Sequence, residues 1–135
     1  MGRHGVYSVL IGLGLVSAFV VGLGCELSPA ATRNDITAVQ LQQMLGDGSP
    51  LLLLDVRTAE EFAAGHIEGA LNRPVGDVET WSSTLVAGAR TATICQAGSR
   101  SRQAADALIA RGFTNVYNVT DGMAEWPGAT VTGAE

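Results

Sequence analysis

The sequence predicts an α/β fold built around a mostly parallel sheet. Strand-like and helix-like segments alternate along residues 35–131, which is the order of βα units. The run LLLLDV at residues 51–56 is short, continuous and apolar, as in strands that a parallel sheet buries on both faces. A chain of 135 residues has room for one such core and hardly for two. We therefore expect one domain.

Two helix starts are marked by the same short pattern. TAVQ at 37–40 and TAEE at 58–61 have the spacing of a capping box, in which a threonine side chain and a Gln or Glu side chain satisfy each other's free backbone N–H groups. These boxes predict one helix through Leu45, stopped by GDGSP, and a shorter helix to about Ala64, ended by Gly65.

The remaining segments of the domain continue the alternation of strands and helices. In order, they are a short strand in IEGALNRPV, a helix over residues 77–88, a strand over 91–95, a helix from about Ser99 that stops at Gly112, a strand over 115–119 and one helical turn halted by Pro127.

Composition excludes several classes of protein. With 47% hydrophobic and 16% charged residues, the chain is not a long disordered acidic or basic segment. All eight cationic residues are arginines spread along the chain, and the net charge is -5, which disfavours nucleic-acid binding. Two cysteines and two histidines form neither a disulfide framework nor a four-thiolate metal site.

The apolar excess of the chain lies at its N-terminus. A basic start, MGRHG, precedes the uncharged residues 6–24, as in a signal for export or a membrane anchor. The segment 1–25 ends in GLGC, with the small residue Gly24 directly before Cys25, which resembles a bacterial lipoprotein signal and implies lipidation of Cys25. An uncleaved membrane helix and a simple cleaved signal are the alternatives. We expect residues 26–34 to be a tether and the domain to lie outside the cytoplasm of a bacterium, on the periplasmic side of the membrane.

The segment CQAGSRS joins a strand to a helix and is the most informative part of the sequence. Cys95 follows the strand, and the helix begins around Ser99. A helix start offers free N–H groups and the positive end of the helix dipole, so the loop predicts an anion site that stabilises a thiolate. Gly98 lets the backbone curl around the sulfur, and Arg100 is placed to hold an anionic substrate.

Three segments in unbroken order resemble the rhodanese family. CQAGSRS is similar to the family's active-site loop, LLLLDVRTAEEFAAGHIEGALN to its aspartate-valine-arginine signature and the segment after it, and DGMAEW to its closing turn. The resemblance covers residues 35–131. It implies a three-layer fold, with a central parallel five-stranded sheet and helices on both faces, and it implies sulfurtransferase activity.

The resemblance also implies a covalent mechanism. Cys95 attacks the outer sulfur of thiosulfate or a similar small anionic donor and carries it as a persulfide, and cyanide or a thiol then accepts it. The loop that cradles the persulfide is Gln96, Ala97, Gly98, Ser99 and Arg100. No metal or organic cofactor is implied.

Two other functions fit parts of the sequence. A rhodanese-like binding module without catalysis is the first alternative, although such modules commonly lack the cysteine. A cysteine-dependent phosphatase or arsenate reductase is the second. Those enzymes keep five residues between cysteine and arginine, whereas four separate Cys95 from Arg100.

Several residues outside the loop have two interpretations. Asp55 and Arg57, at the end of a strand, either contact the site or pair with each other and fix the next turn. Arg102 either recruits anions or is a solvated cation. We interpret His66 as a structural hydrogen-bonding residue rather than a general base.

The state of Cys25 decides how many thiols the protein has. If Cys25 is acylated, the domain has one thiol and must pass sulfur to an outside acceptor. A disulfide between the two cysteines is the alternative.

Overall fold

The structure is a computed structural model that describes residues 30–135, and its framework is a parallel sheet flanked by helices. The strands are β1 (Asn34–Ile36), β2 (Leu52–Asp55), β3 (Leu71–Asn72), β4 (Thr91–Ile94) and β5 (Val116–Val119). The helices are α1 (Ala38–Gly46), α2 (Ala59–Ala64), α3 (Val78–Trp81) and α4 (Ser99–Ala110), with 3-10 turns at Val75–Asp77, Ser82–Thr84 and Gly122–Glu125. We call the last of these the closing turn.

The five strands form one sheet in the order β1-β5-β4-β2-β3. Every pair is parallel, and β4 is the central strand. The predicted α/β class with a five-stranded parallel sheet is confirmed. Because the carboxyl ends of parallel strands meet at one edge of the sheet, the loop after β4 lies in the middle of that edge.

Each face of the sheet is covered by its own apolar cluster. In β2, Leu53 packs with one cluster and its neighbour Leu54 with the other, since successive side chains of a strand point to opposite faces. Residues of α1 and α2 complete the first cluster, and residues of α3 and α4 complete the second. The helices therefore lie on both faces, as predicted.

Both predicted capping boxes are present. The Thr37 hydroxyl accepts a hydrogen bond from the Gln40 amide at 3.2 Å, while the Gln40 side chain accepts one from the Thr37 amide at 2.8 Å. Thr58 and Glu61 make the same reciprocal pair at the start of α2, at 3.2 and 3.0 Å. These local patterns define where the two helices begin.

The helix predicted over residues 77–88 is wrong in extent. Only the four residues of α3 are α-helical, between two 3-10 turns. The hydroxyls of Ser83 and Thr84 donate to the carbonyl oxygens three residues earlier, at 2.7 Å each. Such bonds compete with the helical ladder, which explains why the segment does not continue as one helix. Strand β1, at the sheet edge, was not predicted as a separate element.

The predicted signal or anchor, residues 1–25, lies outside the described residues, together with Cys25 and the first part of the predicted tether. Among residues 30–135, no helix has the length and apolar character needed to cross a membrane.

Candidate active site

Cys95 directly follows the central strand β4, and its sulfur lies inside the loop that leads to α4. The residue is 1% exposed, whereas the next two residues, Gln96 and Ala97, are exposed. The Gly98 amide donates a hydrogen bond to the Cys95 sulfur at 3.1 Å. The loop therefore points a backbone N–H group at the thiol and reaches solvent within one residue of it.

Burial and hydrogen bonding act in opposite directions on the Cys95 thiol. Burial favours the neutral form and so raises its pKa. The Ser101 hydroxyl and the amides of Ser101, Ala97 and Gly98 stabilise the thiolate and outweigh burial, so the pKa of Cys95 lies below its ordinary value. A thiol with a lowered pKa is the reactive type of cysteine.

Ser101 connects the thiol to the interior of the domain. It is fully buried, and its hydroxyl oxygen lies 3.4 Å from the Cys95 sulfur. The same hydroxyl lies 2.7 Å from Oδ1 of the buried Asn118 on β5, and 3.1 Å from the Gly98 carbonyl oxygen. The hydroxyl of Thr93, on strand β4, donates to the Ser101 carbonyl oxygen at 2.9 Å. This network fixes the first turn of α4 against the sheet.

The closing turn holds the other side of the cysteine loop. The Met123 amide donates to the Cys95 carbonyl oxygen at 2.8 Å, and the Ala124 amide donates to the Gln96 carbonyl oxygen at 3.0 Å. A Cβ atom at Gly122 would lie 2.4 Å from the Cys95 carbonyl oxygen. The turn approaches so closely that only glycine fits at this position.

Arg100 on α4 is paired with a carboxylate on α2, the helix that covers the opposite face of the sheet. Its two terminal nitrogens donate to the carboxylate of Glu61 on α2 at 2.7 and 2.9 Å. Both side chains are about one third exposed. The hydrogen bonds from the Arg100 guanidinium are the largest cause, and the bond from the Thr58 amide is the next, of the lowering of the Glu61 pKa to about 2. The arginine that was expected to hold an anionic substrate therefore already has an anionic partner.

Asp55 and Arg57 form a buried ion pair at the end of β2. Nη2 of Arg57 lies 2.6 Å from the Asp55 carboxylate and also donates to the Gly65 carbonyl oxygen at 2.7 Å. The side-chain Nδ2 of Asn72 donates to the backbone carbonyl oxygens of both residues. This arrangement joins β2, β3 and the end of α2, next to the loop that contains Cys95.

Arg102 and Ser99 face a different side of the loop. They line a cavity of about 320 Å³ together with Asp35, Gly98, Asn118 and Thr120.

His66 makes local contacts with Phe62. Nδ1 of His66 lies 2.8 Å from the Phe62 carbonyl oxygen, and the imidazole ring stacks on the Phe62 ring. Within residues 30–135, no group of three or more His, Cys, Asp or Glu side chains is arranged to hold a metal ion.

Four residues that shape this site are not indicated by the sequence patterns described above. Ser101 and Asn118 hold the thiol network, Glu61 pairs with Arg100, and Gly122 admits the closing turn. Glu61 was recognised only as part of a capping box. A signal existed for Ser101, since it follows the arginine in the loop, whereas Asn118 in the middle of a strand carries no local signal.

Comparison with known proteins agrees with this geometry. The family model described as a rhodanese-like domain matches residues 37–129. A Bacillus subtilis protein, YrkF, whose name describes a sulfur carrier, is 35% identical over 101 residues. Those residues are 75% of this chain and 55% of that protein, so the chain spans about half the length of this relative.

A second relative matches over most of its own length. A sulfurtransferase from Allochromatium vinosum is 33% identical over 93 residues, which are 69% of this chain and 87% of that protein. Among solved structures, a rhodanese-like domain protein from Staphylococcus aureus has a TM-score of 0.68 at 28% identity, covering 75% of this chain and 99% of that one.

The fold and the loop together define an α/β domain that presents one cysteine thiol to backbone N–H groups at the start of a helix. Since the family match spans residues 37–129, the chain belongs to the rhodanese-like domain family.

Proposed function

We propose that this protein is a sulfurtransferase that carries sulfur on Cys95. In the first half-reaction the Cys95 thiolate attacks the outer sulfur of thiosulfate or a similar donor. A new S–S bond forms, the bond between the two donor sulfurs breaks, and sulfite leaves with its electron pair. In the second, an acceptor thiolate or cyanide attacks the outer sulfur of the persulfide, and the Cys95 thiolate is the leaving group.

The observation that carries this proposal is the hydrogen bond from the Gly98 amide to the Cys95 sulfur at 3.1 Å. Backbone N–H groups that point at the sulfur stabilise negative charge without any reorganisation during the reaction. A thiolate and a persulfide anion both carry that charge, so the same amides favour the resting and the loaded protein. The name of the relative from Allochromatium vinosum, a sulfurtransferase, supports the same chemistry.

The experiment is intact-mass analysis after treatment with thiosulfate. One added sulfur corresponds to an increase of about 32 Da on a single cysteine, and we expect it in the wild-type protein and in the control variant Cys25→Ser. We expect no increase in Cys95→Ser. A mass increase in Cys95→Ser, or none in folded wild-type protein with any sulfane-sulfur donor, would contradict the proposal.

A phosphatase or arsenate reductase is the less favoured alternative. Four residues separate Cys95 from Arg100, and the guanidinium of Arg100 is bound by Glu61. Both features reduce the room and the charge available to a phosphoryl group. Hydrolysis of a phosphomonoester by the wild-type protein, lost in Cys95→Ser, would favour this alternative.

A rhodanese-like binding module without catalysis is the other alternative. If the protein has this function, we expect the wild type and Cys95→Ser to bind a partner equally well. The lowered pKa of Cys95 favours the enzyme, because binding alone gives no reason to activate a thiol.

We also propose that residues 1–25 direct the protein out of the bacterial cytoplasm and attach it to the membrane. The basic start, the uncharged run and Gly24 before Cys25 support a lipid anchor on that cysteine. Sensitivity of precursor processing to globomycin distinguishes the lipid anchor from an uncleaved helix or a simple cleaved signal.

A further inference from the structure

The charge balance around Cys95 differs from that of a site built to attract strongly anionic substrates. Arg100 is the cation of the loop, and both of its terminal nitrogens are engaged by Glu61, at 2.7 and 2.9 Å. A second cation at this end of the sheet, Arg57, is 5% exposed and paired with Asp55 at 2.6 Å. Arg100 and Arg57 are therefore each neutralised by a carboxylate, whereas the exposed Arg102 lines the cavity on a different side of the loop, together with Asp35.

The pair between Glu61 and Arg100 is held in place from both sides. Glu61 is anchored by the capping box, in which its carboxylate accepts a hydrogen bond from the Thr58 amide at 3.0 Å. Arg100 lies in the first turn of α4, which the Ser101 network fixes to the sheet. The Glu61 carboxylate and the backbone that carries Arg100 are therefore both held in positions from which the two side chains meet.

The sum of these charges governs which donors approach the thiolate. The Cys95 thiolate and the Glu61 carboxylate contribute two negative charges, and Arg100 contributes one positive charge. Arg102 and Asp35, which line the cavity on the other side of the loop, contribute one charge of each sign. The remaining negative charge repels a dianion about twice as strongly as a monoanion, because the Coulomb energy is proportional to the charge of the donor. The partial positive charge at the start of α4 offsets part of this repulsion for either donor.

We propose that Glu61 is a specificity-determining residue that makes the site prefer singly charged sulfane-sulfur donors to dianions such as thiosulfate. This inference rests on the proposed sulfurtransferase function and narrows its substrate class. The preferred donor carries a total charge of -1, as in an organic thiosulfonate, whose inner sulfur bears a carbon substituent in place of one oxygen of thiosulfate.

Two donors of similar size test this preference. Thiosulfate is a dianion, and methanethiosulfonate, CH3SO2S−, replaces one of its oxygens with a methyl group and is a monoanion. With methanethiosulfonate, the Cys95 thiolate attacks the outer sulfur, the bond between the two donor sulfurs breaks and methanesulfinate leaves with the electron pair. The product on the protein is the same persulfide, so one mass measurement follows both reactions.

The variant is Glu61→Gln, in which glutamine still satisfies the capping box because its side-chain oxygen can accept the same hydrogen bond. We expect the ratio of loading rates, thiosulfate to methanethiosulfonate, to rise about threefold to sixfold at an ionic strength near 0.01 M and to fall back towards the wild-type ratio in high salt. Glu60→Gln removes the same charge from the exposed neighbouring residue, and we expect a smaller change.

A second control separates charge from structure. Thr58→Ala removes the hydroxyl that accepts from the Glu61 amide but keeps the charges of both Glu61 and Arg100, so a merely structural role of Glu61 in the capping box predicts a similar change in Thr58→Ala and in Glu61→Gln. Equal ratios in wild type and Glu61→Gln, at both salt concentrations, overturn this inference and leave the sulfurtransferase proposal intact. If no donor adds 32 Da to the wild type or to any variant, the proposed function fails, and this inference fails with it.

Discussion

A Cβ atom at Gly98 would lie 2.0 Å from the carbonyl oxygen of Thr120. Gly98 also has φ of +95°, a conformation that residues with a side chain rarely adopt. The loop that surrounds the Cys95 sulfur is therefore in backbone contact with the chain that leaves β5. Its geometry depends on a second strand as much as on its own sequence.

Gly98→Ala is expected to destabilise the domain by about 2–4 kcal/mol, because the new methyl group meets a backbone atom that cannot move away easily. It also displaces the amide that donates to Cys95. Gly48→Ala is the matched control, since Gly48 has φ of +77° and open space around it, and it is expected to cost about 1 kcal/mol. Urea unfolding measures both values, and equal losses would contradict the steric explanation.

Ser101→Ala is expected to raise the pKa of Cys95, because it removes the hydroxyl that stabilises the thiolate. Alkylation by iodoacetamide should then reach its half-maximal rate at higher pH and be about threefold to tenfold slower at pH 7, the factor that one hydrogen bond supplies. Ser99→Ala changes an exposed serine in the same turn and should leave the profile in place. An unchanged profile in Ser101→Ala would exclude a role for its hydroxyl.

Asp55→Asn leaves the buried guanidinium of Arg57 without its counter-charge. Breaking a buried pair from one side costs about 3 kcal/mol or more, since the remaining charge is no longer compensated. The exposed pair of Asp47 and Arg90 offers a comparison, and Asp47→Asn should cost much less stability than Asp55→Asn, because solvent screens the exposed charges. Chemical denaturation of both variants tests the difference. If Asp55→Asn lowers the free energy of unfolding by less than about 1 kcal/mol, the guanidinium of Arg57 is not left buried and uncompensated in the variant, which contradicts this prediction.

The ion pair of Glu61 and Arg100 gives stability a defined dependence on pH. The pKa of Glu61 is lowered from 4.5 in the reference state to about 2 in the folded protein. The stabilisation is therefore complete above pH 4.5 and is lost as the pH falls towards 2. The difference in melting temperature between wild type and Glu61→Gln should narrow across this range and be constant at higher pH. A difference that stays constant down to pH 2 would contradict the lowered pKa.

Local patterns predicted most of the framework of the domain. The capping residues Thr37 and Thr58 are in place, and the strands predicted at 51–56, 91–95 and 115–119 differ from β2, β4 and β5 by one residue at one or both ends. These predictions succeed because caps and short apolar runs depend only on neighbouring residues. Strand β1 contains Asn34 and Asp35, which have no strand preference of their own. The segment is extended because it pairs with β5.

The site was predictable in part for the same reason. CQAGSRS identified Cys95 and the start of α4, because a strand, a glycine loop and a helix follow one another directly in the chain. The buried hydroxyl oxygen of Ser82, directly after α3, has no hydrogen-bond partner among the described residues, and no sequence pattern indicated this.

By itself, the sequence determined the class of fold, the starts of α1 and α2 and the identity of the nucleophile in the proposed reaction. Only the tertiary structure decided that Glu61 meets Arg100, 39 residues later in the chain, and that Thr120 and Gly122 close against the cysteine loop. The physical reason is that a parallel sheet brings the ends of its strands to one edge in an order that differs from their order in the chain.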